Sequence, residues 1–420
     1  MKSKLFSISS ILSLALLLTA CGTLWQVNPL PAGTALPSPL PNLASPTFTF
    51  APMGATETPV PPTATAIPPT ATAIPQTETA TPRTLQVVAA PVIISLDMLD
   101  EQNGWATGAT YLLRTTDGGA TWLNATPPGI TSVGYLTSFI MDAATAWFVL
   151  PAPDFVTGTL YHTTDGGLNW TARQVPFSGG SLQFLNAQAG WMLAALGAGA
   201  GSEAVAVFQT NDAGVTWNRV FINDPTVTGS SDSLPLSGQK SGMTFLDARH
   251  GWVTGSVPVD GFVYLYATQD NGVTWASQTV SLPSGFESAM TTADAPHFFS
   301  ANEGIFHVYL YADVSGSVFY RTTDGGATWT PTFALNSTGR YAIADLQNAW
   351  IWDGGPAMYV SHDSGVTWSQ VDTNLNVTDM LATFDFVNSA TGWALTADAN
   401  SHYTLYKTTD GGATWKVLIP

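Results

Sequence analysis

Seven aspartates, Asp117, Asp165, Asp212, Asp270, Asp324, Asp363 and Asp410, occupy the same place in a recurring phrase, Ser/Thr-x-Asp-x-Gly-x-Thr-Trp, that ends at Trp122, Trp170, Trp217, Trp275, Trp329, Trp368 and Trp415. Asn169 replaces the penultimate Thr in the second copy, and Ser361 the first Thr in the sixth. Carboxylates could serve acid–base catalysis or hold calcium. A site used once has no need of seven copies. Asp270-Asn271-Gly272 resembles the opening of a calcium loop, but such a loop requires a Glu eleven residues after its first Asp, and that position is Ser281. An Asp followed two residues later by Gly is a turn signal, because the carboxylate accepts nearby backbone N–H bonds and Gly takes a positive φ at low cost. Each phrase is therefore expected to be a self-satisfied hairpin turn, with its indole fastening the hairpin to its neighbours.

Other reactive side chains are few. The histidines, His162, His250, His297, His307, His362 and His402, form no metal-ligand pair at helical spacing, and no nucleophile elbow, phosphate loop or dinucleotide fingerprint occurs. No metal and no cofactor is expected. Candidate binding residues are Asp154, Asp224, Asp232, Asp260, Glu287, Arg340, Trp352 and Asp353, with Glu203, Asp313, Asp398, Phe155, Phe262 and Phe286 nearby in the chain. They suit recognition of a cationic or sugar-bearing partner, and equally a solvated acidic rim. Two of these acids could also form a glycosidase pair if brought together.

The elements that position them follow from a second repeat. Trp105, Trp147, Trp191, Trp252, Trp350 and Trp393 follow Gly or Ala, with Ile305 in the fifth copy, and seven residues before each stands Met98, Ile140, Phe184, Phe245, Phe298, Ile343 or Phe386. Each repeat then reads as four strands: A ending at the apolar position, B from the Trp, C before the aspartate box and D after it. The aspartates are spaced by 48, 47, 58, 54, 39 and 47 residues, one supersecondary unit with loop insertions. The prediction is an all-β, seven-bladed β-propeller with four antiparallel strands per blade. The A–B and C–D turns share one face, and variation collects opposite, in the D–A and B–C loops. Phe221 to Gly242 is the longest such segment and Ser281 to Pro296 the next. Loops on a rigid scaffold are where function concentrates.

Residues 1–20 carry Lys2 and Lys4 ahead of an apolar run, Ile11 to Leu18, which reads as an export signal. The ending Leu18-Thr19-Ala20-Cys21 resembles the bacterial lipobox, which implies acylation of Cys21, the chain's single cysteine. Residues 21–85 are rich in Pro, Thr and Ala, including a direct repeat of Pro-Thr-Ala-Thr-Ala-Ile-Pro, and read as an extended tether. Residues 86–420 are the propeller. The chain is expected to lie outside the cytoplasm, lipid-anchored to a bacterial envelope, as a monomer. Without the signal, 10 basic residues face 29 acidic ones, a net charge near −19. That excludes nucleic acid as a partner and leaves the acyl group as the only membrane contact.

The boxes resemble the Asp-box, or bacterial neuraminidase, repeat, from Met98 to Trp415. Families with such boxes include sialidases, sortilin-type receptors, xyloglucan-degrading hydrolases and the photosystem II assembly and stability factors. The phrasing Asn/Gln/His-x-Gly-Trp with Thr-Thr-Asp-Gly-Gly-x-Thr-Trp is most similar to the last. A sialidase implies three arginines gripping a carboxylate. Here Arg83 lies in the tether; Arg114, Arg321, Arg173, Arg219 and Arg249 follow the repeat; only Arg340 escapes it. The assembly-factor resemblance implies a chaperone-like binder, although the arginine-lined patch of that family has no counterpart in this acidic chain. The expectation is a non-catalytic propeller that binds a protein or glycan through its variable loops; the alternative is an extracellular glycoside hydrolase using loop carboxylates.

Overall fold

The computed structural model describes residues 83–134, 136–378 and 380–419. The export signal, Cys21 and the tether up to residue 82 lie outside these residues. All regular structure described is β-strand, in antiparallel sheets. The seven apolar positions end the innermost strands, from Ser95–Met98 in repeat 1 to Leu381–Phe386 in repeat 7, and the Trp positions begin the second strands, as in Gly190–Gly199 and Gly392–Ala397. Alternation places one face of every strand against the next repeat. Among the described residues there are therefore seven apolar clusters, each joining one repeat to its neighbour, one of them joining repeat 7 to repeat 1.

Ring against ring carries that packing. Trp147 stacks on Phe184 at 3.9 Å, Trp191 on Phe245 at 4.2 Å and Trp350 on Phe386 at 3.9 Å, each reaching from one repeat to the A strand of the next. Where repeat 5 has Ile305, the partner is Ile343, so an aliphatic pair fills the smaller space.

Among the described residues six hydrogen-bonded sheets are present rather than seven separate ones. Repeats 4 and 5 share a nine-stranded sheet, because the second strand of repeat 4 (Gly251–Val257) outruns its C-strand partner (Leu265–Thr268). Its open edge at Ser256 and Val257 pairs with Thr292 and Thr291 of Met290–Ala293, the A strand of repeat 5. That A strand resumes as His297–Phe298 beyond Pro296, whose missing N–H interrupts the ladder.

The N-terminal edge strand, Gln86–Val87, pairs with Leu123–Asn124 of repeat 1 and not with repeat 7. Repeat 7 takes all four strands from the C-terminal segment, so closure is packing of repeat 7 on repeat 1. Arg83, expected in the tether, is docked on the body: its guanidinium donates to Thr126 O at 3.1 Å and Leu168 O at 3.0 Å.

Candidate functional site

In each box the first Thr or Ser is buried and its hydroxyl is the hub. Thr322 Oγ1 donates to Asp324 Oδ1 at 2.8 Å and accepts Gly326 N–H at 2.8 Å; Asp324 then accepts the Thr328 N–H at 2.9 Å and hydroxyl at 2.6 Å. The bonds from Thr328 and Thr322 hold Asp324 below the usual carboxylate range. Asp117, Asp165, Asp212, Asp270, Asp363 and Asp410 are held low in the same way, their hydrogen bonds outweighing the opposing effect of burial. Each box also donates one backbone N–H to the A–B turn of its own repeat, as Gly118 does to Gln102 O and Gly411 to Ala390 O, both at 2.8 Å. Boxes and A–B turns therefore occupy one face.

That A–B turn holds a third repeat the sequence reading missed. Asp100, Asp142, Asn186, Asp247, Ser300, Asp345 and Asn388 each stand five residues before the Trp position, and their side chains accept the backbone N–H groups two and three residues on. The signal was present as a short polar residue at constant offset, which is the pattern of an Asx or Ser/Thr turn.

On the opposite face, a pocket of about 760 Å³ opens between repeats 5 and 6. Tyr309 and Tyr311 enter from the B strand of repeat 5, Asn336 to Gly339 from the D–A connection, Arg340 and Asp353 from repeat 6. Arg340 begins the A strand Arg340–Ile343, and its Nε donates to Leu381 O, at the start of the A strand of repeat 7, at 3.1 Å. Arg340 pairs with no described carboxylate, and among the described residues no Lys or Arg does. Tyr311 also borders a smaller pocket of about 330 Å³ with Met290 and Val257, so apolar and aromatic surface continues from repeat 4 to repeat 6.

Of the candidate residues, Arg340, Trp352 and Asp353 meet at this pocket. Trp352 is a correction: its ring is only 1% exposed, stacks on Trp415 at 5.6 Å and donates Nε1–H to Gly355 O at 2.8 Å, so it is core. Phe286 is likewise buried, while Phe155 is 63% exposed. The other acids are dispersed, and several build their own loops. Asp154 accepts Val156 and Thr157 N–H, Asp224 accepts Thr226, Glu287 accepts Gly285 and Asp353 accepts Gly355. Asp232 and Asp260 are exposed elsewhere on the same face. The arginines are equally scattered: Arg114 donates to Gly166 O and Arg249 to Gln269 O near the boxes.

Two acids that sequence reasoning passed over lie on adjacent A strands at the seam of repeats 1 and 7. Asp97 and Asp385 remain in contact with solvent but are surrounded by protein mass. Burial raises both, and with the added charge of Asp97 the Asp385 carboxyl is pushed up to about 6. Met98 N–H donates to Asp385 Oδ2 at 3.4 Å and Phe386 N–H to its Oδ1 at 2.8 Å. Near the pocket, His307 is buried, its Nδ1 3.2 Å from Asp294 Oδ2 and its ring stacked on Tyr341 at 4.2 Å. Burial lowers its pKa against the opposing pull of the Asp294 carboxylate. Among the described residues no three His, Cys, Asp or Glu side chains are grouped for a metal.

Sheets, boxes and inter-repeat packing define a β-propeller of Asp-box repeats. Residues 74–232, which span the first three boxes, match the family model described as Photosynthesis system II assembly factor YCF48. Over that stretch, which is less than half of the chain, its repeats are similar to those of this family. No curated protein sequence matches it. Among solved structures, YCF48 bound to D1 peptide is 18% identical over 78% of this chain and 95% of that one, with a TM-score of 0.49. The GH74 enzyme of Niastella koreensis is 13% identical over 80% of this chain and 55% of its own, at 0.54. The GH74 xyloglucanase of Xanthomonas campestris is 12% identical over 80% and 56%, at 0.53. These two likenesses speak to the fold alone.

Proposed function

We propose that this chain is a seven-bladed, non-catalytic propeller, tethered to the cell envelope through Cys21, that binds a protein partner on its variable-loop face. Seven boxes and seven inter-repeat clusters support the blade count, with blades four and five joined along one edge. The observation that carries the binding reading is the pocket around Arg340. A planar guanidinium beside Tyr309, Tyr311 and Tyr359 suits a carboxylate-bearing segment with an aromatic or aliphatic neighbour. Exposed Met290, Tyr311 and Val314 extend the apolar part of that surface, and such residues are frequent at interfaces. The match to an assembly-factor family model agrees with protein binding.

The test is a photo-crosslinker placed at Tyr311 or at Thr121, on the opposite face, in the full chain on intact cells. A discrete adduct from Tyr311 only, lost on Arg340→Ala, is expected. Equal adducts from both faces, or an adduct indifferent to Arg340, would overturn it.

A second reading, a glycoside hydrolase, is favoured by one observation: Asp385, raised to about 6 beside Asp97, is where a general acid would be sought. Turnover on a glycan panel that disappears in Asp385→Asn would establish it, and glycan binding without turnover would make the partner a glycan.

A further inference from the structure

The longest variable-face connection, residues 223–238, leads into Lys240 of the A strand Gln239–Phe245 in repeat 4. Lys240 Nζ lies 2.7 Å from Pro235 O, 2.9 Å from Gly238 O, 3.1 Å from Glu203 O, 3.2 Å from Leu236 O and 3.3 Å from Ser237 O. An ammonium carries three protons, so five oxygens around it form an ion–dipole cage rather than five full hydrogen bonds. Tyr264 covers one side, its ring centroid 5.6 Å from Nζ. Burial pushes the Lys240 amine down to about 8 against the opposing charge of Glu203, whose carboxylate is engaged by the Lys240 backbone N–H at 2.6 Å.

The cage does not depend on the lysine alone. Asn223, buried between the strands, gives its Nδ2 to the carbonyls of Glu203, Leu234 and Pro235, each at 3.3 Å, and takes Val205 N–H at 2.7 Å. Glu203 N–H donates to Leu236 O at 2.8 Å, Gly238 N–H to Gly201 O at 2.8 Å, and Leu234 is fully buried. A ring of inward carbonyls held from outside is how proteins replace the hydration shell of a monovalent cation.

We propose that the Pro235–Gly238 turn with Glu203 O is a monovalent-cation site whose resident cation is the Lys240 ammonium, and that K⁺ or NH₄⁺ takes its place when that side chain is removed. Unneutralised, these carbonyl dipoles repel one another, so one internal charge sets the shape of the longest loop on the variable face. The inference stands independently of the partner reading.

The experiment compares the full chain with Lys240→Ala in KCl, NH₄Cl, LiCl and choline chloride at one ionic strength, reading thermal unfolding and protease cleavage within 223–238. In choline the variant loop is expected to be cleaved roughly ten-fold faster than wild type, since cleavage follows the open population. KCl or NH₄Cl restores protection saturably, LiCl does not, and wild type is indifferent to all four. Protection without any cation, or identical behaviour in all four salts, would overturn the proposal. Should the variant not fold, wild type still decides through acylation by an amine-reactive ester. Beyond Lys4 the chain has only Lys240, Lys407 and Lys416. Lys240 is expected to react roughly ten-fold more slowly than exposed Lys416, as a caged group reachable only by local opening; equal rates would show that no cage holds it.

Discussion

At the scale of single residues, the stability of each hairpin rests on a hydroxyl more than on the acid that marks it. Thr322 is 2% exposed and bonds the buried Gly326 N–H, whereas the Asp324 carboxylate is open to water. Thr322→Val leaves that N–H without a partner and is expected to cost about 1–3 kcal/mol, while Asp324→Ala frees the exposed Thr328 N–H and hydroxyl, which water can reach, and the Thr322 hydroxyl, which can rotate to another acceptor, and costs about 1 kcal/mol. Denaturant unfolding of both variants gives the order, and a larger loss in Asp324→Ala would return the leading part to the carboxylate. Asp385 makes the opposite kind of prediction. Its folded pKa, about 6, lies above the ordinary carboxylate value near 4. The folded chain therefore binds more protons between those values, and this group's contribution falls as pH rises through that window. The groups facing it are the Asp97 carboxylate and the Met98 and Phe386 N–H donors. Asp385→Asn should be more stable than wild type at pH 8 by on the order of 2 kcal/mol, with the gain vanishing toward pH 4. Parallel melts across that range measure it, and the box aspartates, common to both proteins, cancel.

At the scale of elements, the 223–238 connection is a loop with a core of its own. Leu234→Ala is expected to cost about 2–5 kcal/mol, because a fully buried side chain leaves a cavity. Replacing Thr228–Asp232 with Gly and Ser should leave the unfolding curve unchanged, since those residues are exposed or nearly so. A loss there as large as at Leu234 would mean that the tip is structural. Removing the whole segment from Ile222 to Gln239 would instead take away Asn223 and Leu234 and damage repeats 3 and 4. This contrast shows what the sequence could and could not disclose. Strand ends at Met98, Phe184 or Phe386, the box turns and the division into two faces were legible because seven copies repeat them, and repetition filters out local accident. Trp352 reads as a loop residue because Asp353-Gly354-Gly355 follows it directly, and only the fold shows it stacked on Trp415. The joined sheet of repeats 4 and 5, the Lys240 cage and the Asp97–Asp385 pair each occur once. They bring together residues distant in the chain, and no spacing announces them.

At the scale of the whole molecule, every junction but one is both packed and covalently continuous. Between repeats 7 and 1, among the described residues, no strand is exchanged and no connecting segment runs. Side chains alone hold it. Trp393, fully buried, donates Nε1–H to Gly118 O at 2.9 Å and lies 4.6 Å beneath Lys407 Nζ, while Glu101 takes Asn388 Nδ2 at 2.8 Å. The equivalent Trp191, between repeats 3 and 4, donates to Asn271 Oδ1 at 2.8 Å and stacks on Phe245. Truncating either to Ala is expected to cost about 3–5 kcal/mol from lost packing. The consequences should differ in reach, because a loosened junction between repeats 3 and 4 stays tethered by its connection, whereas a loosened seam lets the ring open. Hydrogen exchange tests this directly. In Trp393→Ala, protection should fall together in Ser95–Thr107 and Leu381–Thr408, and in Trp191→Ala it should fall only around its own junction. Equal and local losses in the two variants would mean that the seam is no weaker than any other junction, and that a propeller closed by packing alone behaves as one cooperative ring.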